Sequence, residues 1–437
     1  MSNETSRREF LALSGAALAA ANLGAQTPQR RLFAYVGRRT RGGFPGGAGA
    51  GAARPGGPGG VPGAGGRPPT GGGGITVFRV NMIDGSLTEV SRTGPEVDDL
   101  NCDGMCTSAD GRLLYAVNQV PSLGGKPGAG GGVVAFAIDR DAGSLKHLNT
   151  QPSMGAMPTG VIIDRTNSRV LVANHGAVAT IVTVVKRNGV PVVESLTDDG
   201  TVSMYPVKSD GSLEPACDVS VFARRPPSEP GPGAAAHQVI FDRTERWAIA
   251  SDNGYDHLYI YRFSARARTL EGKAYPTPPG KAPRHLVFHP RAPYFFFTNE
   301  REASVSSYSF DSNTGEPRAV QTIPTIPDGY SGPRVAPSNI QMHPNGRFIY
   351  AANRGDDSIA IFSIDEGSGR MTPVSTVKTG GRGPREMNFE PSGKYFYVCN
   401  QQSGDVTTFA VDGNSGHITN RSKVDLPQAG VISFAVI

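Results

Sequence analysis

Residues 336–364 run Ala336-Pro-Ser-Asn-Ile-Gln-Met-His-Pro-Asn-Gly346, then Phe348-Ile-Tyr-Ala-Ala-Asn-Arg354, then Ser358-Ile-Ala-Ile-Phe-Ser-Ile364, with a glycine turn after them. Each piece is an apolar run of five to seven residues bounded by turn formers, which is strand periodicity. The same frame opens at Ala282 (Pro-Arg-His-Leu-Val-Phe-His-Pro, then Tyr294-Phe-Phe-Phe-Thr-Asn-Glu300, then Ser304-Val-Ser-Ser-Tyr-Ser-Phe310). It opens again at Gly383-Pro-Arg-Glu-Met-Asn-Phe-Glu-Pro-Ser-Gly393, followed by Tyr395-Phe-Tyr-Val-Cys-Asn400 and Val406-Thr-Thr-Phe-Ala-Val411. Recurrence of one supersecondary unit is the signature of a repeat architecture.

Six complete units begin near residues 100, 157, 236, 282, 336 and 383. An N-terminal set, Arg31–Gly37 and Gly74–Val80, lacks the first strand, and Gly430-Val-Ile-Ser-Phe434 matches it. The expected fold is therefore all-β: a seven-bladed β-propeller over residues 31–437, its first blade completed by the C-terminal strand. A length of 437 residues with 57 glycines and 35 prolines suits many short strands and turns. The WD40 type is excluded, because the one tryptophan, Trp247, is not followed by aspartate. Spacing between units varies, and the excess is expected in loops such as residues 186–199.

Residues 41–74 hold 17 glycines and almost nothing apolar, so they are read as a disordered insertion within the first blade. Seven arginines and no acid lie between Arg30 and Arg67, so the net charge of +5 belongs to this region and the remainder is net negative. No nucleic-acid partner is expected. Residues 1–25 carry Ser6-Arg7-Arg8-Glu9-Phe10-Leu11 ahead of an Ala-rich apolar stretch, which resembles a twin-arginine export signal and points to a periplasmic or secreted monomer with no membrane association after cleavage. Cys102 and Cys106 would sit about 13 Å apart on a strand at ~3.3 Å per residue, too far to bridge. All four cysteines, with Cys217 and Cys399, are expected to be buried thiols.

In a propeller the start of each first strand and the end of each second strand lie on one face, around the central channel. His237 and Arg284 start first strands, while Glu300 and Arg354 end second strands. A histidine, a carboxylate and two guanidinium groups supply proton transfer and stabilisation of a developing oxyanion. Arg385, Gln401 and His175 hold corresponding places and are candidates for substrate binding. His285, His289 and His343 are read as packed or solvated. No carboxylate-rich ligand set of the kind Ca²⁺ takes is present, and neither a metal nor a cofactor is expected.

The units Gly383-Pro-Arg385, Ala282-Pro-Arg-His285 and Asn345–Arg354 with Asp357-Ser-Ile-Ala360, together with Asp252-Asn-Gly-Tyr-Asp256, resemble the seven-bladed lactonase family. That family includes bacterial 6-phosphogluconolactonases of the propeller type and the fungal carboxy-muconate lactonising enzyme. The resemblance implies a central cleft with catalytic His237, Arg284, Glu300 and Arg354, and a small-molecule lactone, such as a sugar lactone, as substrate. A lactonising isomerase is a related expectation, and a non-catalytic extracytoplasmic binding or scaffold propeller is the alternative. Two departures from the family pattern fall in loops: Ala235 stands where a His-x-His motif would begin, and the glycine-rich insertion follows Arg38-Arg39-Thr40.

Overall fold

The computed structural model describes residues 31–40, 72–120, 123–125, 130–176, 180–197, 199–223, 233–263 and 268–437. The leader expected at residues 1–25 and residues 41–71 of the insertion lie outside them. Seven four-stranded antiparallel sheets form the blades of a propeller. In blades 2 to 7 the innermost strands are Cys102–Thr107, Pro158–Ile163, Ala236–Phe241, Pro283–Phe288, Ala336–Met342 and Pro384–Phe389. Blade 1 closes as expected: Ala429–Val436 pairs with Leu32–Arg38 in the register Ala34 to Phe434 and Val36 to Ile432.

Hydrophobic burial is divided among the seven gaps between neighbouring blades, each filled by its own cluster. Between blades 1 and 2, for example, Phe33, Tyr35 and Val77 pack on Leu114, Val134 and Phe136. A second strand is sandwiched between two such gaps, so Tyr395–Asn400 is buried along its whole length, whereas the outermost strand Ile418–Asp425 is largely exposed. That is why second strands read as continuous apolar runs.

Ring donors on second strands stitch six of the seven gaps to the outer hairpin of the next blade. Tyr35 Oη donates to the Gly143 carbonyl at 3.0 Å, Tyr350 to Gly416 at 2.7 Å and, across the closure, Tyr397 to Gly85 at 2.8 Å. Gly416 has φ 77°, and a Cβ there would lie 2.5 Å from Phe348 Cδ1, so this turn needs glycine for both its backbone and its packing. Part of the glycine excess is thereby spent on seating one blade against the next.

Three local expectations are corrected. The extra length in blade 3 is a two-stranded hairpin, Thr180–Arg187 with Val190–Thr197, because its valine-rich halves pair with each other across a short Asn188-Gly189 turn. The last three glycines of the insertion belong to the ordered body: the Gly74 amide donates to the Leu100 carbonyl, and the Gly73 carbonyl accepts from Arg38. Cys102 and Cys399 are buried, but Cys106 and Cys217 are only partly so, and all four are free thiols.

Candidate active site

Each innermost strand carries one extra residue near its start, so its pairing with the second strand slips there. In blade 5 the register runs Pro283 to Asn299 and then Leu286 to Phe297; in blade 7 it runs Pro384 to Asn400 and then Glu386 to Cys399. The other five blades show the same irregularity. Strict alternation sends successive side chains to opposite faces, whereas a bulge re-aims them. Arg284 and His285, or Arg385 and Glu386, therefore both reach the polar centre of the ring.

The first cluster surrounds Glu300, which follows the second strand of blade 5. Its Oε1 accepts from Arg354 Nη2, its Oε2 accepts from Asn253 Nδ2 at 2.8 Å, and Arg284 Nε lies 3.4 Å from Oε2. Arg284 is 2% exposed and also donates to the Ser338 carbonyl, while the Glu300 and Arg354 side chains are each 23% exposed and form the accessible end of the cluster. Burial raises the Glu300 carboxyl, but Arg354 and Arg284, with hydrogen bonds from Arg354 and Asn253, outweigh it and hold the group well below the usual carboxylate range.

Three imidazoles lie beside it. The His237 ring centroid is 5.1 Å from that of His285 and 5.9 Å from that of His175. His237 is buried, and its Nδ1 has no hydrogen-bond partner among the described residues. Burial, then the charge of Arg284, pushes His237 well below the ordinary histidine value, so the ring is neutral at pH 7. His285 Nε2 lies 3.1 Å from Glu386 Oε1, and Asn339 Nδ2 reaches both His285 Nδ1, at 2.9 Å, and Glu386 Oε2. The Asn339 amide thus bridges His285 and Glu386, and His285 Nε2 faces the Glu386 carboxyl group. Burial raises Glu386 to about 8 despite the opposing charges of Arg284 and Arg385.

The third cluster centres on Asp103, in the bulge of blade 2. Arg385 grips it bidentately from blade 7, at 2.7 Å from Nε to Oδ1 and 2.6 Å from Nη2 to Oδ2. Arg39 of blade 1 donates to the same Oδ1, and Gln119 of blade 2 to Oδ2. One buried carboxylate thus ties three blades at the point where the ring closes, and the two guanidinium groups overcome its burial and hold it at about 2.

The structure brings His237, Arg284, Glu300 and Arg354 together, with Arg385 and His175 adjoining them. Gln401 is half-buried, and its backbone N–H donates to the Gly383 carbonyl. His289 and His343 are buried and bond the carbonyls of Gly346 and Gly393, packed as expected. His285 is corrected: the bulge places it in the polar centre instead of the apolar packing. Arg39, Asp103, Gln119, Asn339 and Glu386 were not singled out from the sequence. Superposing the strand openings Cys-Asp103-Gly, Pro-Ser-Asn339 and Pro-Arg-Glu386 on Pro-Arg284-His would have found three of them. Among the described residues no three His, Cys, Asp or Glu side chains are grouped to hold a metal ion.

The sequence model of the seven-bladed β-propeller lactonases matches residues 64–434. A 6-phosphogluconolactonase of Bacillus subtilis is 30% identical over 282 residues, covering 64% of this chain and 72% of its own. One of Formosa agariphila is 27% identical over 323 residues, covering 71% and 81%. Among solved structures, the periplasmic gluconolactonase of Pseudomonas aeruginosa superposes with a TM-score of 0.72 at 25% identity, covering 93% of this chain and 99% of its own.

Asp103→Asn would leave Arg39 and Arg385 buried without their counter-charge, and is expected to destabilise the fold by about 3–5 kcal/mol in denaturant titrations at pH 7. Because the Asp103 pKa is depressed on folding, its contribution is fully present above the unfolded value near pH 4 and is lost as pH falls through about 2, so the wild-type and variant stabilities converge in acid. A loss below about 1 kcal/mol at pH 7 would contradict the staple.

Proposed function

This chain belongs to the seven-bladed β-propeller lactonase family, and from that premise we propose that it is an exported lactonase that hydrolyses a sugar lactone in carbohydrate metabolism. The observation that carries the reading is the meeting of Glu300 with Arg284 and Arg354 beside a buried, neutral His237 whose Nδ1 is unpartnered. A scaffold propeller has no use for such a nitrogen, and the names of the relatives favour the enzyme.

In this scheme the His237 imidazole takes a proton from the attacking water as the water oxygen bonds to the lactone carbonyl carbon. Arg354, with Arg284 behind it, stabilises the charge that develops on the carbonyl oxygen. Glu300 is ionised throughout the neutral range, so it has no proton to give; it orients the water and holds the two arginines in place. Arg385, Gln401 and His175 border the substrate. Export rests on the paired arginines Arg7 and Arg8 ahead of an apolar stretch, and the periplasmic location of the Pseudomonas aeruginosa relative is in keeping with it.

Purified protein is expected to open lactones in a panel that includes glucono-δ-lactone and its 6-phosphate, at rates unaffected by chelator. His237→Ala and Arg354→Ala should each lower kcat/KM by about a hundredfold or more. Variants within threefold of wild type would remove these residues from the reaction. Fractionation should find the chain outside the cytoplasm, and Lys at both positions 7 and 8 should retain it inside; export of the double variant would contradict the twin-arginine route.

A further inference from the structure

With Glu300 locked in its ionised form, the one proton donor so far assigned to the leaving ring oxygen is the His237 imidazolium formed when water attacks. The bulge of blade 7 places a third carboxyl group in the same centre, beside Glu300 and Asp103. Glu386 follows the bulge of blade 7, its side chain 12% exposed, and is held from two sides by His285 Nε2 and Asn339 Nδ2. The two other carboxylates of the centre differ from it in one respect. Glu300 and Asp103 are each gripped directly by arginines, whereas Glu386 makes no ion pair with an arginine among the described residues.

We propose that Glu386 is the general acid of lactone opening, a role that rests on the lactonase reading given above. As the carbonyl carbon–ring oxygen bond breaks, its electron pair goes to the ring oxygen, which takes the carboxyl proton of Glu386. His237 has meanwhile taken one proton from water, so the product is a hydroxy acid. That acid loses its proton to solvent, and the proton on His237 returns through solvent to Glu386, which resets the site. Carboxyl groups whose surroundings push their proton affinities apart divide the acid and base work of a site in this way.

Several groups face Glu386: Arg284 and His285 from blade 5, Arg354 from blade 6, Asp103 from blade 2, and Arg385 and Cys399 within blade 7. Burial outweighs the arginines, so the carboxyl keeps its proton until about pH 8. The acid form is lost above that value. After subtraction of spontaneous hydrolysis, kcat for glucono-δ-lactone should therefore fall as pH rises through about 8.

Glu386→Gln is expected to lower kcat at pH 7 by about a hundredfold or more, leave KM within a few-fold, and abolish that falling limb. A packing role would lower kcat and leave the limb in place, and that result, or activity within threefold of wild type, overturns the proposal. A second readout needs no variant activity. In wild-type protein labelled with δ-¹³C glutamate, the carboxyl resonance that is missing from the Gln variant should titrate above pH 7, and titration near pH 4.5 overturns the acid role. If wild-type protein opens lactones and only the Glu386 results fail, this role alone falls. If it opens none of the panel, the lactonase reading falls and takes this role with it.

Discussion

One extra residue in each innermost strand governs what the centre of this ring holds. A regular strand would give the channel only every second side chain, and seven such strands would offer a sparse lining. The bulges place consecutive residues, Arg284 with His285 and Arg385 with Glu386, in one polar centre. The seams between blades make this arrangement affordable: burial is completed outside the channel, by seven apolar clusters and by ring donors on neighbouring turns. The centre is thereby left free to be charged.

That charge is arranged and not merely accumulated. Four guanidinium groups, Arg39, Arg284, Arg354 and Arg385, meet three carboxyl groups, Asp103, Glu300 and Glu386. Asp103 offsets part of the charge of Arg39 and Arg385 where the ring closes, and Glu300 spreads its charge over Arg284 and Arg354 at the accessible end. Glu386 is left without an arginine of its own and keeps a proton. The balance is positive, which suits an oxyanion and a carboxylate product. The neutral, unpartnered imidazole of His237 stands beside this field.

The repeat was legible because each blade spells out its strands and turns in similar words, from Pro-Arg-His-Leu-Val-Phe to Phe-Ile-Tyr-Ala-Ala-Asn. Closure by Gly430–Phe434 was legible because that segment fits the opening of a unit. His237, Arg284, Glu300 and Arg354 could be named because they sit at strand ends that any propeller places on one face. His285 was read as packed or solvated, since a plain period of two sends it away from Arg284 and a bulge leaves no mark on that period. Arg39 was hidden at the edge of a glycine-rich insertion. The residues of the opening Cys-Asp103-Gly share little with the others, so only its position in the repeat marks Asp103. The hairpin Thr180–Arg187 with Val190–Thr197 was mistaken for a loop because its partners are its own two halves and not a blade.

The bulged strands are proposed to assemble one lactone-opening site at the accessible end of the channel. A crystal structure with D-gluconate, the open-chain product, tests it most directly. The gluconate carboxylate is expected against Arg354, with Arg284 behind it, near the His237 imidazole and with a hydroxyl directed at Glu386. Gluconate bound away from these residues, with the centre filled only by water, would contradict it.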